Sequence, residues 1–237
     1  METVLSILEI IGIISFSAAG AMVAIDKETD IFGVVFLSVI TCYGGGLLRD
    51  VMVGGSIGRE RPWLFLGSST ANLYIILTVA TAIVVFLIAM LFKRSYVKEE
   101  GAVIAINNVL DAIGIGIFAA IGTEACLSLG AFVAITMGMV TCIGGGLMRD
   151  VILRDIPFIL RKYIYAVATI IGSALYYVIA TSAIHDDALR KTVATVACTL
   201  IIFAIRMVAT AFKLNLPKAI KFSEIREEQS DDSHAIK

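Results

Sequence analysis

The chain consists of long runs of apolar residues separated by short polar segments. Seven runs carry at most one charged residue each, and they cover residues 4–25, 31–48, 62–92, 101–123, 125–148, 163–184 and 192–212. A helix needs about 20 apolar residues to cross the hydrocarbon core of a bilayer. The segments of roughly ten alternating residues that are typical of transmembrane β-strands do not occur. The sequence therefore predicts an all-α membrane protein with seven transmembrane helices.

The composition excludes several classes of function. Of the 237 residues, 59% are hydrophobic and 16% are charged, whereas soluble domains contain about 25% charged residues. A formal net charge of −1 argues against a nucleic-acid partner, because such binding relies on basic contacts to phosphate. The loops are too short for a catalytic domain, and only two histidines are present. We therefore expect no enzyme, no resident metal and no cofactor.

The distribution of Lys and Arg predicts the orientation of the chain. With seven spans, the loops on the side of the N-terminus carry four clear basic residues, and those on the opposite side carry twelve. Basic loops stay in the cytoplasm. We therefore expect a multi-pass protein of the inner (cell) membrane, with its N-terminus outside and its C-terminus cytoplasmic. Arg206 interrupts the last apolar run, and we expect it to reach the cytoplasmic headgroups.

The chain contains a tandem repeat. Residues 41–51 read TCYGGGLLRDV and residues 141–151 read TCIGGGLMRDV, so nine of eleven positions are identical. Upstream, LEIIGIISF at 8–16 matches LDAIGIGIF at 110–118 and aligns Glu9 with Asp111. Each copy holds three spans, an odd number, so the second copy is predicted to be inverted in the membrane. The predicted units are a first repeat (1–98), a second repeat (99–184), a seventh helix (185–213) and a disordered cytoplasmic tail (214–237).

The glycine runs are the predicted chemical centre. They lie in the second and fifth spans and consist of Gly44, Gly45 and Gly46 and of Gly144, Gly145 and Gly146. Three consecutive glycines cost a helix roughly 3 kcal/mol, so we predict that both helices break there and free backbone carbonyls. Free carbonyls inside a membrane are tolerated where they line a cavity, and the negative end of a half-helix suits a cation. The alternative is that the glycines only allow close helix packing.

Charged residues accompany both glycine runs. Each run is followed after two residues by an Arg-Asp pair, namely Arg49-Asp50 and Arg149-Asp150. Glu9 and Asp111 lie within apolar spans, and intramembrane carboxylates are functional candidates. We expect each of these two carboxylates to pair with an arginine of the motif, which would neutralise all four charges. The alternative places both Arg-Asp pairs at the bilayer surface as ordinary helix ends.

The repeated LDAIGIGIF-like and TCxGGGLxRDV motifs resemble the prokaryotic branch of the trimeric intracellular cation channel family, whose members contain two glycine-transporter-type domains. The resemblance covers residues 4–182. It implies a 3 + 3 + 1 helix architecture, a homotrimer, and a pore for K⁺ and to a lesser degree Na⁺ within each subunit, beside the second and fifth helices. Eukaryotic members carry a basic lipid-binding motif where this chain reads GGGLMRDV.

The expected function is passive conduction of monovalent cations, K⁺ or Na⁺, by a homotrimer in membrane lipid. Carbonyls of both glycine runs and hydroxyls of Thr41 and Thr141 would replace part of the hydration shell. Arg49 and Arg149 would set the local field. The charges that balance these arginines would come from Asp50, Asp150, Glu9 and Asp111.

The sequence leaves two alternative functions open, and it offers candidate residues for assembly. Half-helix ends can hold both the carboxylate and the ammonium of a zwitterion, so a secondary transporter of glycine or another small zwitterion is the main alternative. A non-transporting assembly protein is the other. For contact between subunits, the sequence offers small-residue faces, at Gly12, Gly20, Gly114 and Gly122.

Overall fold

The computed structural model describes residues 2–58, 69–161 and 164–214, and the regular structure in these ranges is helical. In chain order the helices are α1 (Glu2–Asp26), α2 (Ile31–Val53), α3 (Ser69–Leu91), α4 (Lys93–Lys98), α5 (Glu100–Ala125), α6 (Ala131–Ile152), α7 (Phe158–Arg161), α8 (Tyr165–Ala180) and α9 (Asp187–Ala211). Short 3₁₀ turns follow α2 at Gly54–Ile57 and α5 at Leu127–Leu129.

Six described helices, α1, α2, α3, α5, α6 and α9, are long and apolar enough to cross a membrane. The shorter apolar helix α8, with 16 residues, extends about 24 Å at 1.5 Å per residue. The predicted all-α membrane protein is thus confirmed. The predicted tail falls outside the described residues beyond Leu214, as do residues 62–68 of the third predicted span.

Capping carboxylates begin two of the long helices. The carboxylate of Asp30 accepts a hydrogen bond from the Gly33 amide at 2.8 Å and begins α2, and Asp186 caps α9 in the same way. The fifth predicted span began at residue 125, but α6 begins at Ala131, after Gly130 with φ +87°. The error arises because residues 126–130 (CLSLG) are uncharged and resemble membrane sequence although they form the turn.

Corresponding helices of the two copies pack against each other in antiparallel register. In the α1–α5 pair, Gly12 lies against Ile117 and Gly114 lies against the ring of Phe16. The rings of Phe16 and Phe118, which correspond in the two copies, stack with centroids 5.0 Å apart. Residues later in α1 therefore face residues earlier in α5, so the two helices run in opposite directions.

The small-residue positions offered above for subunit contact are used inside the protomer. A Cβ on Gly12 would lie 2.9 Å from Ile117, and one on Gly20 would lie 2.7 Å from Thr41 Oγ1. Gly122 has the corresponding contact with Thr141, and Gly114 contacts Phe16. The prediction that these four glycines join subunits is therefore wrong. They bring helices of one chain together, because a helix packs closest where its partner has no Cβ.

Helix α9 packs on the second copy. It lies against α5 and α8, where Gly116 meets Thr199 and Gly172 meets the side chain of Ile202. Ile202 and Cys198 are fully buried in this contact. The seventh helix thus reaches the interior of the second copy, and it places Arg206 beside Asp111.

Candidate functional site

The glycine runs form the crossing of α2 and α6, the most extensive helix pair in the described chain. A Cβ on Gly45 would lie well under 3.0 Å from the carbonyl oxygen of Thr141, and one on Gly145 would approach the carbonyl of Thr41 equally closely. Gly44 faces Gly145, and Gly144 faces Gly45. This reciprocal pattern requires antiparallel helices whose backbones touch.

The predicted helix breaks are wrong. Helix α2 is continuous over Ile31–Val53 and α6 over Ala131–Ile152, so both glycine runs are helical. In a continuous α-helix the carbonyls accept hydrogen bonds from amides four residues later. The prediction used helix propensities measured in water, which do not apply inside a membrane. There, each unpaired backbone group costs several kcal/mol, and this cost favours an intact helix. The close-packing alternative is correct for the first two glycines of each run.

The threonine hydroxyls at the crossing form hydrogen bonds within their own helices. Thr41 donates to the Leu37 carbonyl at 2.7 Å, and Thr141 donates to the Met137 carbonyl at 2.6 Å. Both threonines are buried. Their protons are therefore committed to the backbone, and only the oxygen lone pairs are available to a cation.

The third glycine of each run faces away from the crossing. A Cβ on Gly46 would lie 3.9 Å from Nη2 of Arg49, and one on Gly146 would lie 3.8 Å from Nη2 of Arg149. The two half-buried glycines thus leave space beside a guanidinium. Gly146 lines a cavity, described below.

Each arginine of the motif pairs with the aspartate that follows it. Arg49 Nε lies 2.7 Å from Asp50 Oδ1, and Arg149 contacts Asp150 Oδ1 through Nε at 2.9 Å and Nη2 at 2.7 Å. Arg49 and Arg149 are only 4% and 6% exposed, so neither pair is a solvated helix end. The buried position agrees with a functional role for the Arg-Asp pairs.

The expected pairing of Glu9 and Asp111 with these arginines is not observed. Glu9 accepts a hydrogen bond from the Tyr74 hydroxyl at 2.8 Å, and Asp111 Oδ2 pairs with Arg206 Nη2 at 2.9 Å. Each motif arginine instead contacts the aspartate that follows it in the chain.

The expectation that Arg206 reaches the headgroups is also wrong. Arg206 is 1% exposed, and its guanidinium carbon lies 4.0 Å from the ring centroid of Tyr165. A signal for this contact was present in the sequence. Arg206 and Asp111 are opposite charges within two apolar spans, and such residues tend to pair inside the bundle.

A polar cavity of about 350 Å³ lies at the Asp111 end of the second copy, and we call it the Asp111 cavity. It combines carboxylates, basic groups and amides with apolar wall residues. Its polar lining residues are Asp26, Lys27, Asn107, Asn108, Asp111, Arg149, Asp150, Asp155 and Tyr165. Carboxylates outnumber the cationic groups in this set, so the lining favours cations over anions.

An ion pair joins the two copies at the lining of the Asp111 cavity. Lys27, which follows α1, contacts Asp155, which follows α6, at 2.6 Å. This hydrogen bond to Asp155 raises the pKa of Lys27. The side chains are 39% and 43% exposed, which places the pair in contact with solvent.

Replacing Lys27 by methionine is expected to lower the free energy of unfolding by less than about 1 kcal/mol, because exposed ion pairs contribute little. A raised lysine pKa stabilises the folded state below the ordinary pKa of 10.5, and the contribution is lost as the pH rises above that value. The difference in melting temperature between wild type and variant should therefore be constant from about pH 6 to about pH 9. A difference that changes within this range would contradict the assignment.

A second cavity, of about 270 Å³, lies near the other end of α5, and we call it the Glu124 cavity. Glu9 lines it together with Glu124, whose carboxylate accepts hydrogen bonds from Tyr176 at 2.8 Å and from Lys191 at 2.9 Å. Asp111 and Glu124 are thirteen residues apart in α5, which corresponds to about 20 Å along the helix. The sequence prediction missed the Glu124 cluster because its members Glu124, Tyr176 and Lys191 come from three different helices.

The structure does not gather all predicted site residues in one place. Because α2 and α6 are antiparallel, Arg49 and Arg149 lie on opposite sides of the crossing. Asp111, Arg149 and Asp150 share the Asp111 cavity, whereas Glu9 lines the Glu124 cavity. The predicted set therefore divides between two ends of the protomer, with the glycine crossing between them.

Comparisons with known proteins match this arrangement. The family model described as Glycine transporter matches residues 6–90 and 108–181, one segment in each copy. The UPF0126 inner membrane protein YadS of Escherichia coli (strain K12) is 30% identical over 212 residues, which cover 89% of this chain and 93% of that protein.

Solved structures match over most of the chain. A prokaryotic TRIC channel crystallised in 0.5 M KCl is 30% identical, with a TM-score of 0.73 over 91% of this chain and 100% of that one. The TRIC trimeric intracellular cation channel orthologue from Rhodobacter sphaeroides is also 30% identical, with a TM-score of 0.72 over 90% of this chain and 100% of that chain.

Proposed function

Since this chain is an integral membrane protein of the glycine transporter family, we propose that it is a channel for monovalent cations. Its fold is similar to those of prokaryotic TRIC channels. The observation that carries the proposal is the likeness of its fold to TRIC cation channels over nine tenths of the chain. The polar Asp111 cavity supports it, because its lining carries more carboxylates than cationic groups.

The proposed path connects the Asp111 cavity with the Glu124 cavity past the α2–α6 crossing. Backbone contact at Gly45 and Gly145 leaves no room for an ion between the two helices at that point. We therefore place the ion beside the half-buried Gly46 and Gly146, where the adjacent guanidinium and carboxylate groups set the field. Passage past the crossing would then require the two helices to move relative to each other.

The protein is proposed to be a homotrimer with one pore in each subunit and a preference for K⁺ over Na⁺. The trimeric orthologue from Rhodobacter sphaeroides supports this assembly. Chemical cross-linking in mild detergent should give products up to three subunits. A series that ends at two would contradict the trimer.

The two copies are proposed to lie inverted in the membrane, with the N-terminus outside and the C-terminus cytoplasmic. The antiparallel α1–α5 and α2–α6 pairs support the inversion, and the basic residues support the orientation. Reporter fusions after Lys98 and after Lys237 should both report a cytoplasmic location. Fusions that report opposite sides would contradict the even number of spans, α5, α6, α8 and α9, between these positions.

Ion flux into liposomes distinguishes a channel from the alternative, a transporter of glycine or another small zwitterion. The alternative has one observation in its favour, since the Asp111 cavity holds both a guanidinium and carboxylates. We expect the purified protein to carry K⁺ down its gradient without any solute added and without saturable glycine uptake. Glycine uptake that saturates, without K⁺ flux in its absence, would support the transporter instead.

A further inference from the structure

Arg206 connects three helices at the Asp111 cavity. It lies in α9 and is the largest fully buried side chain of the described chain. Its Nη2 contacts Asp111 Oδ2 of α5 at 2.9 Å, and its guanidinium stacks over the ring of Tyr165 of α8. The Tyr165 hydroxyl lies 3.4 Å from the other carboxylate oxygen of Asp111. The Asp111 carboxylate is thus held from two directions.

Arg206 belongs to the seventh helix, α9, which lies outside the two repeats. The family model matches residues 108–181 of the second copy and does not extend to α9. In the first copy, the residue aligned with Asp111 is Glu9, and it is bound by a tyrosine of its own copy, Tyr74. The second copy also supplies a tyrosine, Tyr165, but the arginine comes from outside the repeat.

Stability alone does not account for this placement. Within residues 2–58, 69–161 and 164–214, Nε and Nη1 of Arg206 are buried without a hydrogen-bond partner. A buried ion pair with such incomplete hydrogen bonding is often no more stable than a well-packed apolar replacement. Asp111 and Tyr165, the two groups that Arg206 holds, both line the cavity. Arg206 therefore affects the position and the charge of two groups that an ion in this cavity would contact.

We infer that Arg206 is a positioning residue that neutralises Asp111 and so sets how tightly the Asp111 cavity holds a permeating cation. The inference rests on the proposed function, since it assumes that cations pass through this cavity. Conduction requires a site that attracts an ion but also releases it. With Arg206 in place, Asp111 contributes little net charge. Without it, a full carboxylate charge faces the cavity and retains the cation.

The test compares single-channel currents of four proteins in planar bilayers over a series of KCl concentrations. They are the wild type, Arg206→Gln, Asp111→Asn and the double variant Asp111→Asn/Arg206→Gln. Arg206→Gln should lower the KCl concentration that gives half-maximal conductance by about fivefold, the effect of one unit charge at about 4 Å in water. Asp111→Asn leaves the Arg206 charge without its partner and should raise that concentration by a similar factor.

The double variant should return to within about twofold of wild type, because the two charges are removed together. A structural role alone would shift the half-maximal concentration of both single variants in the same direction, because breaking a buried pair from either side disturbs the same packing. Neutralisation of Asp111 by Arg206 shifts them in opposite directions. Arg206→Lys keeps the charge but loses the planar fork that pairs with a carboxylate and stacks on a ring. It should therefore show an intermediate half-maximal concentration, and it provides a second test if Arg206→Gln does not fold.

The possible failures are distinguishable. If the wild type conducts and Arg206→Gln or Arg206→Lys has an unchanged half-maximal concentration, the inference is wrong and the proposed function stands. If the double variant fails to recover, Arg206 and Asp111 do not act as a pair and the inference is again wrong. A wild type without current would overturn the proposed function, and this inference with it.

Discussion

Replacing Gly145 by alanine is expected to destabilise the protein by about 3 kcal/mol, at the upper end of what overpacking usually costs. The added Cβ would lie well under 3.0 Å from the carbonyl oxygen of Thr41. That oxygen belongs to the backbone of a continuous helix and has no rotamer by which it can move away. Helices α2 and α6 would have to separate along their crossing. Thermal unfolding in detergent, followed by the loss of the monodisperse peak in size-exclusion chromatography, measures the effect.

The neighbouring glycine provides a matched control. In Gly146→Ala the nearest contact of the new Cβ is at 3.8 Å, which is ordinary van der Waals distance. Alanine is favoured over glycine in a helix by about 1 kcal/mol, so this variant should be as stable as the wild type or more stable. Gly45→Ala and Gly46→Ala should repeat the contrast in the first copy. Equal stability of Gly145→Ala and Gly146→Ala would contradict the backbone contact.

Replacing Arg149 by methionine is expected to lower the free energy of unfolding by about 3 kcal/mol, the lower end of the range for breaking a buried ion pair. Arg149 is 6% exposed and holds Asp150 through two nitrogens. Methionine retains much of the side-chain volume, so the loss reports the charge rather than a cavity. We place the effect at the lower end because Arg149 lines the polar Asp111 cavity, where water reduces the cost.

Arg190 is the matched control for Arg149. It also pairs with an aspartate of its own helix, Asp187, but the side chains are 24% and 76% exposed. Arg190→Met should therefore change the free energy of unfolding by less than about 1 kcal/mol. Melting temperatures of the two variants in the same detergent give the comparison. A loss at Arg190 as large as that at Arg149 would show that burial of the pair is not the cause.

Hydropathy and the repeat predicted most of the fold. Membrane spans depend on composition over about 20 residues, which a single sequence displays directly. The offset between the two TCxGGGLxRDV segments indicated which helices correspond, and α2 and α6 do pack as a pair. The ends of helices were less predictable, because uncharged turn residues such as those before Ala131 have the same hydropathy as the spans.

The details of the candidate site were less predictable, for two physical reasons. Whether a glycine run breaks a helix depends on what packs against it. The contact between Gly45 and the Thr141 backbone joins two helices that are distant in the sequence, so local sequence does not predict it. The ion pair of Asp111 and Arg206 joins residues 95 positions apart. The sequence shows that each is a charge in an apolar span, but not which partner each charge meets. Local rules therefore assigned the motif residues and missed Arg206.

The central claim, that the protein conducts monovalent cations, is tested most directly by the reversal potential of purified protein in a planar bilayer with a tenfold KCl gradient. Unitary current steps should reverse close to the K⁺ equilibrium potential, about 59 mV for a tenfold ratio of a singly charged ion. Replacing K⁺ by Na⁺ on one side should shift the reversal in the direction of preferred K⁺ passage. Steps that reverse near zero, or a bilayer that shows no steps, would contradict the account.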